Sequence, residues 1–358
     1  MSRGPTMNTS RDPESLYHTF HALKAERRLR NRDAAAALGI SECEAIASGI
    51  GRDAVRLAAP FDALFRRMPE LGEVMALTRN EAAVHEKTGR FEQMSGDDKV
   101  GLALGSAIDL RIFYGRWAHG YAVTESTPRG ESHSLQFYDR HGEAVHKVFA
   151  RAGTDLAAWD TLVSAFRAED QQAGESVLPR PPATEEPSAS AVDAAAFRRD
   201  WLAMQDTHDF FPLLKRHAVS RRQAMRLAPP DHALRIDNAS VRPLLEAAAS
   251  DGVSIMCFVG NPGMIQIHTG PVHRIEPMGP WINVLDAGFN LHLRQDLVAE
   301  TWIVRKPTAD GIVTSVELLD AAGETIALFF GERKPGKPER EDWRSLVRTL
   351  ADLQEVAA

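Results

Sequence analysis

The chain has 358 residues, 44% of them apolar and 25% charged, and a formal net charge of −7. That length fits two domains or one duplicated unit, and the composition supports a packed core rather than disorder. The acidic balance argues against a chain whose main task is to wrap nucleic-acid phosphates. The two cysteines, Cys43 and Cys257, stand far apart and in no CxxC pattern, so neither a disulfide framework nor a thiolate metal site is indicated.

The N-terminal stretch "MSRGPTMNTSRDPESLYHTF" lacks the apolar segment of a secretory signal, and no apolar run is long enough to span a bilayer. The expectation is a soluble, cytoplasmic protein with no stable membrane insertion. Short helices come next, with "ALGISECEAIA" at 37–47. From residue 74 onward the chain reads as strands: apolar segments of five to eight residues, rich in Val, Ile, Leu and aromatics, bounded by Gly, Asn or Asp. "RHGEA" marks the turn before the last strand, and a helix is expected over 155–170. Residues 171–191, "QQAGESVLPRPPATEEPSASA", hold four prolines and no periodicity and read as a linker.

Beyond the linker the chain repeats itself. Residues 74–150 lie on 255–331 at a constant shift of 181 with no gap, and 15 of those 77 positions are identical. "VMALTRNEAAVHEKTG" meets "IMCFVGNPGMIQIHTG", and "SLQFYDRHGEAVHKVFA" meets "SVELLDAAGETIALFFG". Upstream, "ALGISECEAIA" meets "RHAVSRRQAMR" at a shift of 179. A closing helix is expected over 338–355. The expected architecture is α+β: two tandem units, 14–170 and 192–356, each of short helices followed by a large, mainly antiparallel sheet, with a ligand cleft between the halves.

Differences between the copies point to function. His208 in "DTHDFFPLLKRH" corresponds to Leu29, so the fold itself does not demand a histidine there. Arg111 corresponds to His292, and Lys306 to Glu125. Arg221, Arg222, Arg305, Lys306, Arg333 and Lys334 make the second copy the more basic around these positions. One reading of His208 is a core or capping histidine. The other starts from Pro212, which is tolerated in the first turn of a helix and so makes Thr207 or Asp209 the N-cap. His208 would then stand at a helix start beside Phe210, Phe211 and Leu214, a place suited to an axial ligand of haem iron. Met256, Phe258, Phe329 and Phe330 are candidates for an apolar slot, or for ordinary core. Arg221, Lys306 and Arg333 are candidates for carboxylate contacts, or for solvated surface.

"HDFFPLLKRHAVSRRQAMRL", "PWINVLDAGFNLHL" and "AETWIVRKPTADGIVTSVELLDAAGETIALFFGER", with "RNEAAVHEKTGRFE" and "IDLRIF" in the first half, resemble the cytoplasmic hemin-degrading factor and haem-transport family of Gram-negative bacteria. The resemblance covers residues 20 to 350. It implies a duplicated fold binding one haem (iron protoporphyrin IX) between its halves. His208 would be the proximal iron ligand, Arg111 the distal arginine, Arg221, Lys306 and Arg333 polar contacts, and Phe258 an apolar wall. Phe330 stands where relatives have a tyrosine, and Pro212 interrupts the ligand helix. His217 is open between a surface role and a transient ligand.

The resemblance implies haem uptake, trafficking and iron acquisition, with a haem ABC importer and a haem oxygenase as partners. The alternative is that the chain is itself an oxygenase opening the porphyrin ring. A remote third reading takes "AAALGISECEAIA" and "KRHAVSRRQAMRLA" as helix-turn-helix cores of a DNA-binding regulator, against which stand Glu42, Glu44 and the net acidity.

Overall fold

The computed structural model describes residues 12–128, 130–181, 192–334 and 336–357. The first unit runs α1 (Pro13–Arg27), α2 (Asn31–Ala37), α3 (Glu42–Ala47), β1 (Ala54–Leu57), α4 (Phe61–Arg66), β2 (Gly72–Arg79), β3 (Ala83–Arg90), β4 (Gln93–Gly96), β5 (Val100–Leu104), β6 (Asp109–Phe113), β7 (His119–Thr127), β8 (Gly130–Tyr138), β9 (Ala144–Thr154) and α5 (Leu156–Ala165). The second runs α6 (Ala194–Leu202), α7 (Phe210–His217), α8 (Arg221–Leu227), β10 (Ala233–Ile236), α9 (Val241–Ser250), β11 (Ile255–Asn261), β12 (Met264–Gly270), β13 (Ile275–Met278), β14 (Trp281–Asp286), β15 (Phe289–Arg294), β16 (Glu300–Thr308), β17 (Gly311–Leu319), β18 (Thr325–Gly331) and α10 (Glu341–Ala357). The expected linker, 171–191, is described only to residue 181; the rest lies outside the described residues.

Local chemistry repeats with the sequence. Ser41 and Glu44 close a capping box on α3, and Ser220 and Gln223 close the matching one on α8. The last hairpin of each unit turns on a glycine at positive φ, Gly142 at 77° and Gly323 at 83°.

The sheets do not respect the repeat boundary. Among the described residues there are two sheets of nine antiparallel strands, in the orders β1-β7-β8-β9-β2-β3-β15-β14-β13 and β10-β16-β17-β18-β11-β12-β6-β5-β4. Each unit therefore gives a three-stranded arm to the other unit's sheet. Asn80 and Asn261 fasten the crossing. Asn80 Nδ2 donates to the carbonyls of Gly260 and Ile326 at 3.1 and 2.8 Å, and Asn261 Nδ2 to those of Arg79 and Val145 at 2.9 and 2.8 Å. Each arm still packs over its own unit. Leu110 and Ile112 of β6 join a core with Phe65, Leu71, Val148 and Trp159, while Leu291 and Leu293 of β15 join one with Leu245, Val316, Phe329 and Trp343. Phe329 thus belongs to the core; of the four apolar candidates it is the one facing away from the sheet surface described next.

Candidate functional site

Cross-strand partners in an antiparallel sheet share a face. Following the register from Arg111 leads to Ile265 on β12 and Gly260 on β11. Two residues along β11, Phe258 pairs with Leu328, and Met256 pairs with Phe330. Leu328 and Phe330 pair in turn with Glu317 and Ser315. Arg111, Ile265, Phe258, Met256, Leu328, Phe330 and Glu317 therefore lie on one face of one sheet, although Arg111 comes from the first half of the chain.

Helices α6, α7 and α8 cover the far side of this face, packing Trp201, Phe210, Leu213 and Met225 onto Trp302 and Val304. The middle is not covered: Met256, Phe258, Ile265, Leu328 and Phe330 are all half-exposed. Phe258 and Phe330 meet edge to face with ring centroids 5.2 Å apart. The result is an apolar floor, with the helices at one rim and Arg111 at the other.

His208 stands on the helical rim. It lies in a single 3-10 turn, Thr207–Asp209, that leads into α7. The imidazole is not buried: its side chain is 91% exposed. A core role is thereby excluded. Asp209 is the N-cap residue of α7, but its carboxylate turns back to accept from the main-chain N–H of Gln205 and Asp206, each at 3.0 Å. Asp206 and Asp209 close the turn together as a capping box, to which Thr207 contributes no cap. Asp206 Oδ1 accepts from the main-chain N–H of His208 at 2.8 Å and lies 2.6 Å from His208 Nδ1. Pro212 is the third residue of α7, where it costs no helical hydrogen bond. Phe211 is 60% exposed on the same rim.

Beneath α7 sits a buried charge cluster. Glu317 is fully buried and pairs with the Lys306 ammonium and, at 2.5 Å, with the Arg221 guanidinium. Burial alone would push the Glu317 carboxyl up; Lys306 and Arg221 overcome it and hold it down at about 2. The Phe210 ring lies over both cations, 4.4 Å from Lys306 Nζ and 5.1 Å from Arg221 Cζ. Lys306 is only 3% exposed, so its ammonium is committed to Glu317 rather than presented at the surface. Arg221 remains partly exposed. Arg333 lies 3.9 Å from Asp310 and close enough to Asp206 to act on its charge. Arg111 pairs with Asp109 two residues before it on β6. His217 is neither a surface residue nor a free ligand: it is largely buried, with Nε2 2.9 Å from Asp200.

The matching face of the first half is closed. Lys147 stands in place of Leu328, Arg79 of Gly260 and Glu86 of Ile267. Arg79 and Lys147 both bind the buried Glu42, at 3.0 and 2.5 Å. Where the second half has an apolar floor, the first has an ion cluster. The donor set therefore fits a flat, apolar, anionic ligand with a metal at its centre on one face only.

The helix-turn-helix reading fails on packing. Cys43, Ala45, Ile46 and Ala47 of α3 are buried, and Glu42 is turned inward to Lys147. On α8, Gln223, Ala224 and Met225 are buried and Arg221 and Arg226 are tied to Glu317 and Glu300. Neither helix is free to enter a groove.

The Haemin-degrading HemS.ChuX domain matches residues 39–166 and 218–350, once on each repeat. The chain is 42% identical over 346 residues to the hemin transport protein HmuS of Yersinia pestis, covering 96% of this chain and 99% of that one. Holo-PhuS, a heme-binding protein from Pseudomonas aeruginosa, superposes with a TM-score of 0.92 at 48% identity over 95% of this chain and 99% of that one. ChuS, an E. coli heme oxygenase, does so at 0.85 and 37% identity, over 94% and 99%. No helix among the described residues is long and apolar enough to cross a membrane. By profile, overall identity and fold, the chain belongs to the haemin-degrading and hemin-transport family.

Proposed function

We propose that this chain binds one haem on the open apolar face and carries it within the cytoplasm, in haem uptake and iron acquisition. His208 would ligate the iron from the helical rim, and Arg111 would face it from the opposite rim. Met256, Phe258, Leu328 and Phe330 would take the apolar ring, with Arg333 and the exposed part of Arg221 beside the propionates. Lys306 would act from beneath, by holding Phe210 and so the turn that bears His208. The observation that carries this reading is the combination of an almost wholly exposed imidazole with an uncovered apolar floor, in the half that alone has both. An exposed ligand suits capture of haem from an importer and release to an acceptor such as a haem oxygenase.

Titrating the purified chain with hemin tests it. Wild type should develop a sharp Soret band at one equivalent, and His208→Ala should lose that band or at least about tenfold in affinity, as metal-ligand losses do. An unchanged spectrum and affinity in His208→Ala would remove the assignment.

A second reading, degradation of haem, is favoured by the likeness to a protein described as a heme oxygenase. Reductant and dioxygen should then bleach the Soret band and yield a tetrapyrrole with catalase present. Bleaching that catalase abolishes is peroxide chemistry and counts against an oxygenase.

A further inference from the structure

Resting on the reading of His208 as iron ligand, we propose that Asp206 is the positioning residue that prepares it, holding the imidazole in the Nδ1–H tautomer and making Nε2 the stronger donor. An imidazole 91% exposed would otherwise turn freely and share its proton between both nitrogens. One oxygen of Asp206 accepts from the His208 main chain at 2.8 Å and faces Nδ1 at 2.6 Å, so it fixes backbone and ring together. An ionised carboxylate there can only accept, so Nδ1 carries the proton and Nε2 keeps its lone pair toward the exposed side.

Asp206 is itself held. Its main-chain N–H donates to Asp209 Oδ2 at 3.0 Å, and the preceding Gln205 carbonyl accepts from Ala309 N–H at 2.8 Å, tying the turn to the hairpin between β16 and β17. A carboxylate on the far nitrogen of a ligating imidazole pushes electron density toward the metal and restricts ring rotation. The first half supports the pairing independently. At the shift of 179, Leu29 replaces His208 and Arg27 replaces Asp206, so the half that lacks the ligand also lacks its acceptor.

The test compares Asp206→Asn with wild type and His208→Ala, all as full chains loaded with haem. Asn caps a helical turn as well as Asp does, so the fold is retained while the carboxylate is lost. Two quantities are read: the iron–histidine stretching frequency of the ferrous protein by resonance Raman, and the rate of haem loss to excess apomyoglobin. Asp206→Asn should lower the frequency and speed haem loss by about 10- to 100-fold. If both match wild type while His208→Ala loses the iron–histidine band, Asp206 has no such role although His208 is the ligand. If His208→Ala keeps the wild-type band, the ligand reading fails and Asp206 falls with it. The frequency is read only from bound haem, so a small loss of stability in the variant does not disturb it.

Discussion

Arg111 and Ile265 are cross-strand partners although one belongs to each half of the chain. The pairing of β6 with β12 places the first half's guanidinium on the rim of the second half's apolar face. Neither half alone can therefore assemble that face. Expressed alone, residues 192–358 would leave the edge of β12 unpaired, an invitation to aggregation. Co-expression with residues 1–181 should restore a soluble complex with a full-length hemin titration. The second half alone should run as aggregate on gel filtration or bind hemin at least about tenfold more weakly, the scale of one lost charged hydrogen bond. A soluble second half with full affinity would show that the exchanged arm is dispensable.

The contrast between Leu328 and Lys147 supplies a second expectation. Leu328 is a half-exposed part of the apolar floor, whereas Lys147 occupies the matching position within the ion cluster of the first half. Leu328→Lys should fold, because the ammonium can reach water. Covering it with haem would strip that water without supplying a partner beyond the already satisfied Glu317, a cost of several kcal/mol. Hemin affinity should fall by more than about tenfold while the melting temperature changes little. Equal affinity would mean that the ligand does not lie on this floor.

The repeat was legible because strand patterns survive duplication: β2, β3, β7, β8 and β9 recur as β11, β12, β16, β17 and β18 at the shift of 181. The exchange of arms was not, since β6 alternates Leu110 and Ile112 inward and Arg111 outward whichever sheet receives it. His208 stood out because its counterpart is Leu29. Its exposure did not, because "HDFF" reads equally well as a buried turn. Lys306 looked like a surface cation; its cross-strand partner is Val313, and only the three-dimensional path of its side chain along the shared face to Glu317 on β17 reveals an internal pair. Asp206 was overlooked, though an Asp two residues before a His at a helix start is a capping signal a reader can find.

Arg111 offers a third expectation. Its guanidinium pairs with Asp109 and offers a planar fork of donors toward the apolar face. Arg111→Ala should keep a Soret band, since His208 remains. Haem loss to apomyoglobin should be faster by about tenfold, the scale of one charge-assisted hydrogen bond. Arg111→Lys should recover only part of this, because an ammonium lacks the planar fork. A haem-loss rate unchanged in Arg111→Ala would take Arg111 out of the site.

Glu317 links stability to the same rim. Its carboxyl, pushed up by burial but pulled further down by Lys306 and Arg221, sits at about 2 in the folded chain. An unfolded glutamate titrates at about 4.3. The depressed value means the stabilisation is complete above about pH 4.3 and is lost as the pH falls toward 2. Glu317→Gln should cost about 3–5 kcal/mol at pH 7, because Lys306 is left buried without a counter-charge. The gap in melting temperature between wild type and Glu317→Gln should therefore be wide at pH 7 and narrow by pH 3; a constant gap would separate Glu317 from acid stability. Phe210 lies over both cations, so the variant should also loosen the turn bearing His208 and speed haem loss at pH 7. Replacing both members of the buried pair, Lys306→Met with Glu317→Leu, should recover part of the stability, since no charge is then left fully buried and the partly exposed Arg221, which also loses Glu317, can turn to water. It should not recover slow haem loss, because Phe210 then loses the Lys306 ammonium and keeps only an Arg221 guanidinium that Glu317 no longer fixes.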